Sequence, residues 1–125
     1  MEQGFTTPGR EQRRNWRFAC QAYVSLYNLI SQRRVPGQMI DLSISGCLVR
    51  LDEPDLLREG DVIEVSFSLH GFSIRMPASI RNIRPDQTMG IQFRDRGDSS
   101  NWQLARLMQE LAQQSVSNQH PEPRQ

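Results

Sequence analysis

The sequence predicts a mainly β protein: a six-stranded antiparallel barrel followed by one C-terminal α-helix. Three observations carry that expectation. Between Phe18 and Phe93, apolar and polar residues alternate with a period of two in short runs separated by short turns, as strands with one buried face require. After Phe93 the pattern changes to a broad apolar helical face. Six antiparallel strands this short favour a closed or partly open barrel, because closure removes exposed sheet edges.

Residues 1–12 contain Gly and Pro but no period and read as a flexible N-terminal arm; 13–114 form the domain, and the polar, proline-containing 115–125 a disordered tail. The first strand sets Phe18, Cys20, Ala22, Val24 and Leu26 against Gln21, Tyr23, Ser25 and Tyr27. Arg33-Arg34-Val35-Pro36-Gly37 reads as a turn, its arginines either a solvated pair or an extension of a ligand's phosphate site. Gln38 to Ser43 forms the second strand, Ser45-Gly46 a turn or bulge, and Cys47 to Leu51 the third. Pro54 and Gly60 bracket a short connecting turn of helix. Ile63, Val65, Phe67 and Leu69 give the fourth strand, and His70-Gly71 a tight hairpin into the fifth, through Phe72, Ile74, Met76, Ala78 and Ile80. Met89 to Phe93 is the sixth. Asp98, Ser99 or Ser100 caps the helix, whose inner face holds Trp102, Leu104, Ala105, Leu107, Met108, Leu111 and Ala112. Trp102, Phe67, Phe72 and Phe93 are expected in the core.

A chain of 125 residues is one domain, able to bury about two thirds of its unfolded surface without a metal or disulfide. The formal net charge of +1 argues against a duplex-DNA or polyanion binder. All 15 basic residues are arginine, the side chain best suited to bidentate contacts with guanine and phosphate. Cys20 and Cys47 fall at apolar strand positions and read as packing residues. No metal-ligand spacing occurs, and no apolar run of membrane-spanning length, so a cytoplasmic protein is expected. Catalysis finds no support in the form of a nucleophile with a partnered base, a carboxylate pair or a phosphate-cradling Gly-rich loop.

Two stretches carry candidate binding chemistry. Arg13, Arg14 and Arg17 crowd three guanidiniums into five residues, with Arg13 and Arg17 leaving the chain on roughly the same side. Asp41 and Ser43 are two apart, so they share a strand face opposite Ile40, Leu42 and Ile44, and Gly46 follows. Guanidinium forks read the O6/N7 edge of guanine and clamp phosphate oxygens, while a carboxylate or hydroxyl accepts the donors of the opposite base edge. Gly46 removes a side chain where a flat ligand must approach the backbone.

Arg13-x-x-x-Arg17 followed by Asp41-x-Ser43-x-x-Gly46 resembles the two-part signature of PilZ domains, bacterial receptors for cyclic di-GMP. The resemblance spans roughly Gln12 to Ala112. Arg10 and Arg14 share the first spacing, but Phe18 opens the first strand directly after Arg17, which favours the Arg13 register. The resemblance implies a PilZ-type six-stranded barrel and no enzymatic activity. It also implies that Arg13 and Arg17 grip guanine edges and phosphates, that Asp41 and Ser43 bind guanine donors, and that Gly46 permits close approach. Arg14 is an added phosphate or stacking contact. Trp16 is expected to pack, since an extended segment puts it opposite Arg13 and Arg17. The function implied is that of a second-messenger effector that binds cyclic di-GMP and alters an unidentified downstream protein, with no metal, cofactor or membrane insertion. The alternatives are a PilZ-like protein-interaction module without a nucleotide and a small barrel binding single-stranded nucleic acid through Tyr23 and Tyr27. A hydrolase of the dinucleotide would need a metal or carboxylate cluster that the sequence lacks.

Overall fold

The computed structural model describes residues 17–94 and 99–119, with the backbone alone at 99–100 and 115–119. Six strands run β1 Phe18–Asn28, β2 Arg34–Leu42, β3 Gly46–Leu51, β4 Val62–Leu69, β5 Phe72–Ile83 and β6 Thr88–Phe93, followed by helix α1, Ser99–Gln119. A single 3₁₀ turn, Pro54–Leu56, bridges β3 and β4. All pairings are antiparallel and the sheet closes in the order β1-β2-β3-β6-β5-β4, so no edge is left open.

The alternation read from the sequence becomes the inside of this barrel. Val24, Leu26, Val35, Met39, Val49, Leu51, Ile63, Val65, Phe67, Ile74, Met76, Ala78, Ile80, Met89 and Ile91 are buried in one cluster. Burying such side chains is worth roughly 1.5–3 kcal/mol each before the entropy of ordering them is charged. The β4–β5 hairpin turns at His70 (φ 53°) and Gly71 (φ 82°), two consecutive left-handed residues whose twist suits a two-residue hairpin. Helix α1 covers β5 through Leu104, Leu107 and Leu111, with Met108 packed beside them.

Four differences from the sequence expectation concern the strands, the aromatic core and the helix. The turn after β1 is not Arg33–Gly37 but the stretch before it: buried Asn28 accepts the Ile30 and Ser31 N–H groups on its side-chain oxygen and donates to Asp61. Arg34 therefore already opens β2, and Pro36 sits extended opposite Ser25, one residue beyond the last β2–β3 pair. Second, β2 does not keep one phase. Met39 and Leu42 are both buried because Ile40 is an extra residue between the Met39–Val49 and Asp41–Leu48 pairs, a bulge that shifts the inward face by one. Third, Trp102 is 60% exposed, its ring beneath the Arg106 guanidinium 5.1 Å away, and is not a core residue. Phe67 and Phe93 are buried and Phe72 is partly so. Fourth, α1 continues to Gln119, beyond Gln114 where the domain was expected to end.

Candidate functional site

The turn between β2 and β3 carries the second motif and shows what each of its residues does. Ser43 is 1% exposed. Its N–H donates to the Gly46 carbonyl at 2.8 Å, its Oγ lies 3.2 Å from the same oxygen, and the Ser45 N–H donates back to that Oγ at 3.3 Å. Ser43 is thus not an outward strand residue beside Asp41; it is the buried clasp of a tight turn, spent on local hydrogen bonds. Gly46 has a structural reason independent of any ligand. A Cβ there would fall 2.0 Å from the Ile91 carbonyl oxygen, so only glycine lets β3 pass this close to β6.

Asp41 does face outward, next to the bulge in β2, and meets Arg17 just ahead of β1. Arg17 Nη1 donates to Asp41 Oδ1 at 2.7 Å, with the arginine side chain 57% and the aspartate 22% exposed. The two motifs are therefore physically joined through one member of each. Arg13, Arg14 and Trp16 lie outside the described residues.

Arg17, Asp41, Ser45 and Gly46 form one side of an open groove of about 570 Å³ on the outer face of the barrel. Its floor is Leu48 and Gly90, paired across β3 and β6. The opposite side is built from Arg81, Asn82, Arg84 and Gln92. The sequence reading missed this wall, since outward arginines on a late strand look like any solvated charge. The one available signal was Gly90, an unexplained glycine inside a strand. A Cβ at Gly90 would lie 2.7 Å from Asn82 Oδ1, so the glycine lets that amide reach across β6. A smaller cavity, about 260 Å³, lies between Ile44, Met76, Phe93 and Leu104 beside α1.

Cys20 lies on β1, beside β2, and Cys47 is the second residue of β3. Burial first, then the negative charge of Asp41, pushes the Cys20 thiol up to about 11, and burial pushes Cys47 higher still. Both are neutral near pH 7, so a thiol reagent should label the folded protein far more slowly than the unfolded one. The Cys20 pKa is raised from 9.0 by folding, so the stability given by its neutral form is complete below pH 9 and is lost as pH rises through about 11. A urea midpoint that stays flat to pH 9 and then falls, with a shallower fall in Cys20→Ala, is expected. Rapid labelling of the native protein at neutral pH would contradict this assignment.

Among the described residues, no three His, Cys, Asp or Glu side chains are grouped to hold a metal, and no helix is long and apolar enough to cross a membrane. Tyr23 is exposed, and the Arg34 guanidinium covers the Tyr27 ring at 5.1 Å.

A small closed barrel with an arginine-lined groove on its outer wall has the build of a binding module. The chain belongs to the PilZ domain family, which it matches over residues 11–110. Solved structures with the same fold include the PilZ domain of CeSA from a cellulose-synthesizing bacterium, at 21% identity over 77% of this chain and 97% of that one, TM-score 0.65. The PilZ domain of Escherichia coli YcgR, solved with c-di-GMP, is 19% identical over 86% of this chain and 96% of that chain, TM-score 0.63. The K. pneumonia MrkH–c-di-GMP complex is 13% identical over 86% of this chain and 54% of that chain, TM-score 0.66. At these identities the likeness is one of fold. No curated protein sequence matches the chain.

Proposed function

We propose that this protein is a cyclic di-GMP receptor that passes the ligand's presence to a partner protein, without catalysis. The observation that carries the reading is the Arg17–Asp41 pair at the rim of the outer groove. It sets a guanidinium fork beside a carboxylate acceptor, the complement of guanine's acceptor edge and donor edge. Arg17 with Arg13 grips guanine and phosphate, Arg14 adds a further phosphate contact, and Asp41 takes the guanine N–H donors. Ser43 and Gly46 contribute by shaping the turn that presents Asp41. That two of the fold relatives were solved with c-di-GMP supports the same ligand here.

Calorimetric titration tests the reading. Cyclic di-GMP should bind with a micromolar or lower Kd, about −8 kcal/mol or stronger. Cyclic di-AMP should bind at least about tenfold more weakly, because adenine offers a donor at N6 where guanine has an acceptor. GTP, lacking the second base, should also bind more weakly. Equal affinity for the two cyclic dinucleotides would refute guanine readout.

A further inference from the structure

We propose that Arg81, held in place by Gln92, is a second phosphate-binding pole of the groove, facing Arg17 from the β5 side. This rests on the cyclic dinucleotide reading above and extends it to residues outside both motifs. The ligand class carries two phosphodiester anions on opposite sides of its ring. The pole at Arg17 is partly neutralised by Asp41 before any ligand arrives, which leaves the far wall to supply uncompensated charge.

Two features single out Arg81 there, and a third sets it apart from Arg75. It is the extra residue of a bulge, falling between the Ile80–Ile91 and Asn82–Gly90 pairs; a bulge re-aims a side chain out of the regular alternation. Its Nη1 donates to Gln92 Oε1, and Gln92 is paired across the sheet with Gly46 of the motif turn. The guanidinium is thereby oriented using one of its five N–H groups, leaving the others to meet a phosphate. Finally, the ion pairs among the described residues are Arg17–Asp41 and Arg75–Glu64, so Arg81 has no carboxylate competing with an incoming anion. Arg75 is the natural contrast: it lies on the same strand, is tied to Glu64 at 3.9 Å and does not line the groove.

The test is calorimetric titration of cyclic di-GMP into the parent and into Arg81→Ala, Arg81→Lys, Gln92→Ala and Arg75→Ala, with a thermal melt of each. Arg81→Ala should weaken binding roughly tenfold to a hundredfold, the range for losing a bidentate contact, with an unchanged melt. Arg81→Lys should recover only part of it, because charge returns without the planar fork. Gln92→Ala should cost a smaller factor, since Arg81 keeps its charge and loses its bearing. Arg75→Ala should match the parent. If the parent binds and the Arg81 and Gln92 variants bind as tightly, or weaken no more than Arg75→Ala does, the second pole is wrong and the receptor reading stands. If the folded parent does not bind cyclic di-GMP, both fall together.

Discussion

Arg17→Ala is expected to weaken cyclic di-GMP binding by about 3 kcal/mol, roughly a hundredfold, while barely moving the melting temperature. The small effect on stability follows from exposure: the Arg17 side chain is 57% exposed, and ion pairs so open to water contribute about 0–1 kcal/mol. The large effect on binding has two parts. The fork that reads base edge or phosphate is lost, and Asp41 is left as an uncompensated carboxylate facing an anionic ligand. These parts can be separated. Arg17→Ala with Asp41→Asn should bind better than Arg17→Ala alone, because the repulsion is removed although the fork is still missing. Arg17→Lys should fall between parent and alanine. Calorimetry and a melt on the same samples decide the matter; Arg17→Ala binding within twofold of the parent would remove this pair from the site.

Gly46→Ala should be the most damaging single substitution to the fold near the groove, costing about 3 kcal/mol or more in urea unfolding. Adding atoms to a packed site typically costs about 1–3 kcal/mol, and more when the neighbours cannot move. Here the added Cβ meets the Ile91 carbonyl oxygen at 2.0 Å, the Ile91 carbonyl carbon at 3.1 Å and Gln92 Cα at 3.2 Å, all backbone of the paired strand. Gly90→Ala is the matched comparison. Its Cβ would meet the tip of the Asn82 side chain at 2.7 Å, which can rotate aside, so about 1 kcal/mol or less is expected. Urea midpoints that fall equally in the two variants would mean that β3 can shift off β6, against the rigid contact argued here.

The barrel was legible because its signal is repetitive and local. Alternation at Val24 and Leu26, or at Ile74, Met76 and Ala78, reports a buried face whatever the strand's partner. The hairpin at His70-Gly71 was readable for the same reason, being set by two adjacent residues. What failed were properties that depend on a neighbour. The phase slip at Ile40 arises from pairing with β3, and no residue within β2 announces it. Ser43 matches an outward polar position in the sequence, yet its hydroxyl is absorbed by a turn whose closure depends on Gly46. Trp102 sits on an apolar helical stripe, but the part of that stripe packed on the core is Leu104, Leu107, Met108 and Leu111. Arg17 and Asp41 could be matched because both belong to compact motifs. Arg81, Asn82 and Gln92 have no shared spacing and become neighbours only when β5 and β6 pair. The remaining part of the first motif, Arg13 and Arg14, lies outside the described residues.

The strand order has a consequence for how the groove comes into being. β1-β2-β3 and β4-β5-β6 are each a chain of successive hairpins, and they meet along two seams, β3 with β6 and β1 with β4. The groove straddles the first seam, with Asp41 and Gly46 on one half and Arg81, Gly90 and Gln92 on the other. Neither half alone has a floor or two walls, so the groove exists only once the long-range pairing that closes the cylinder has formed. A molecule lying across it acts as a staple between halves. It opposes local parting of β3 from β6, the opening that would otherwise expose those amides to exchange with solvent.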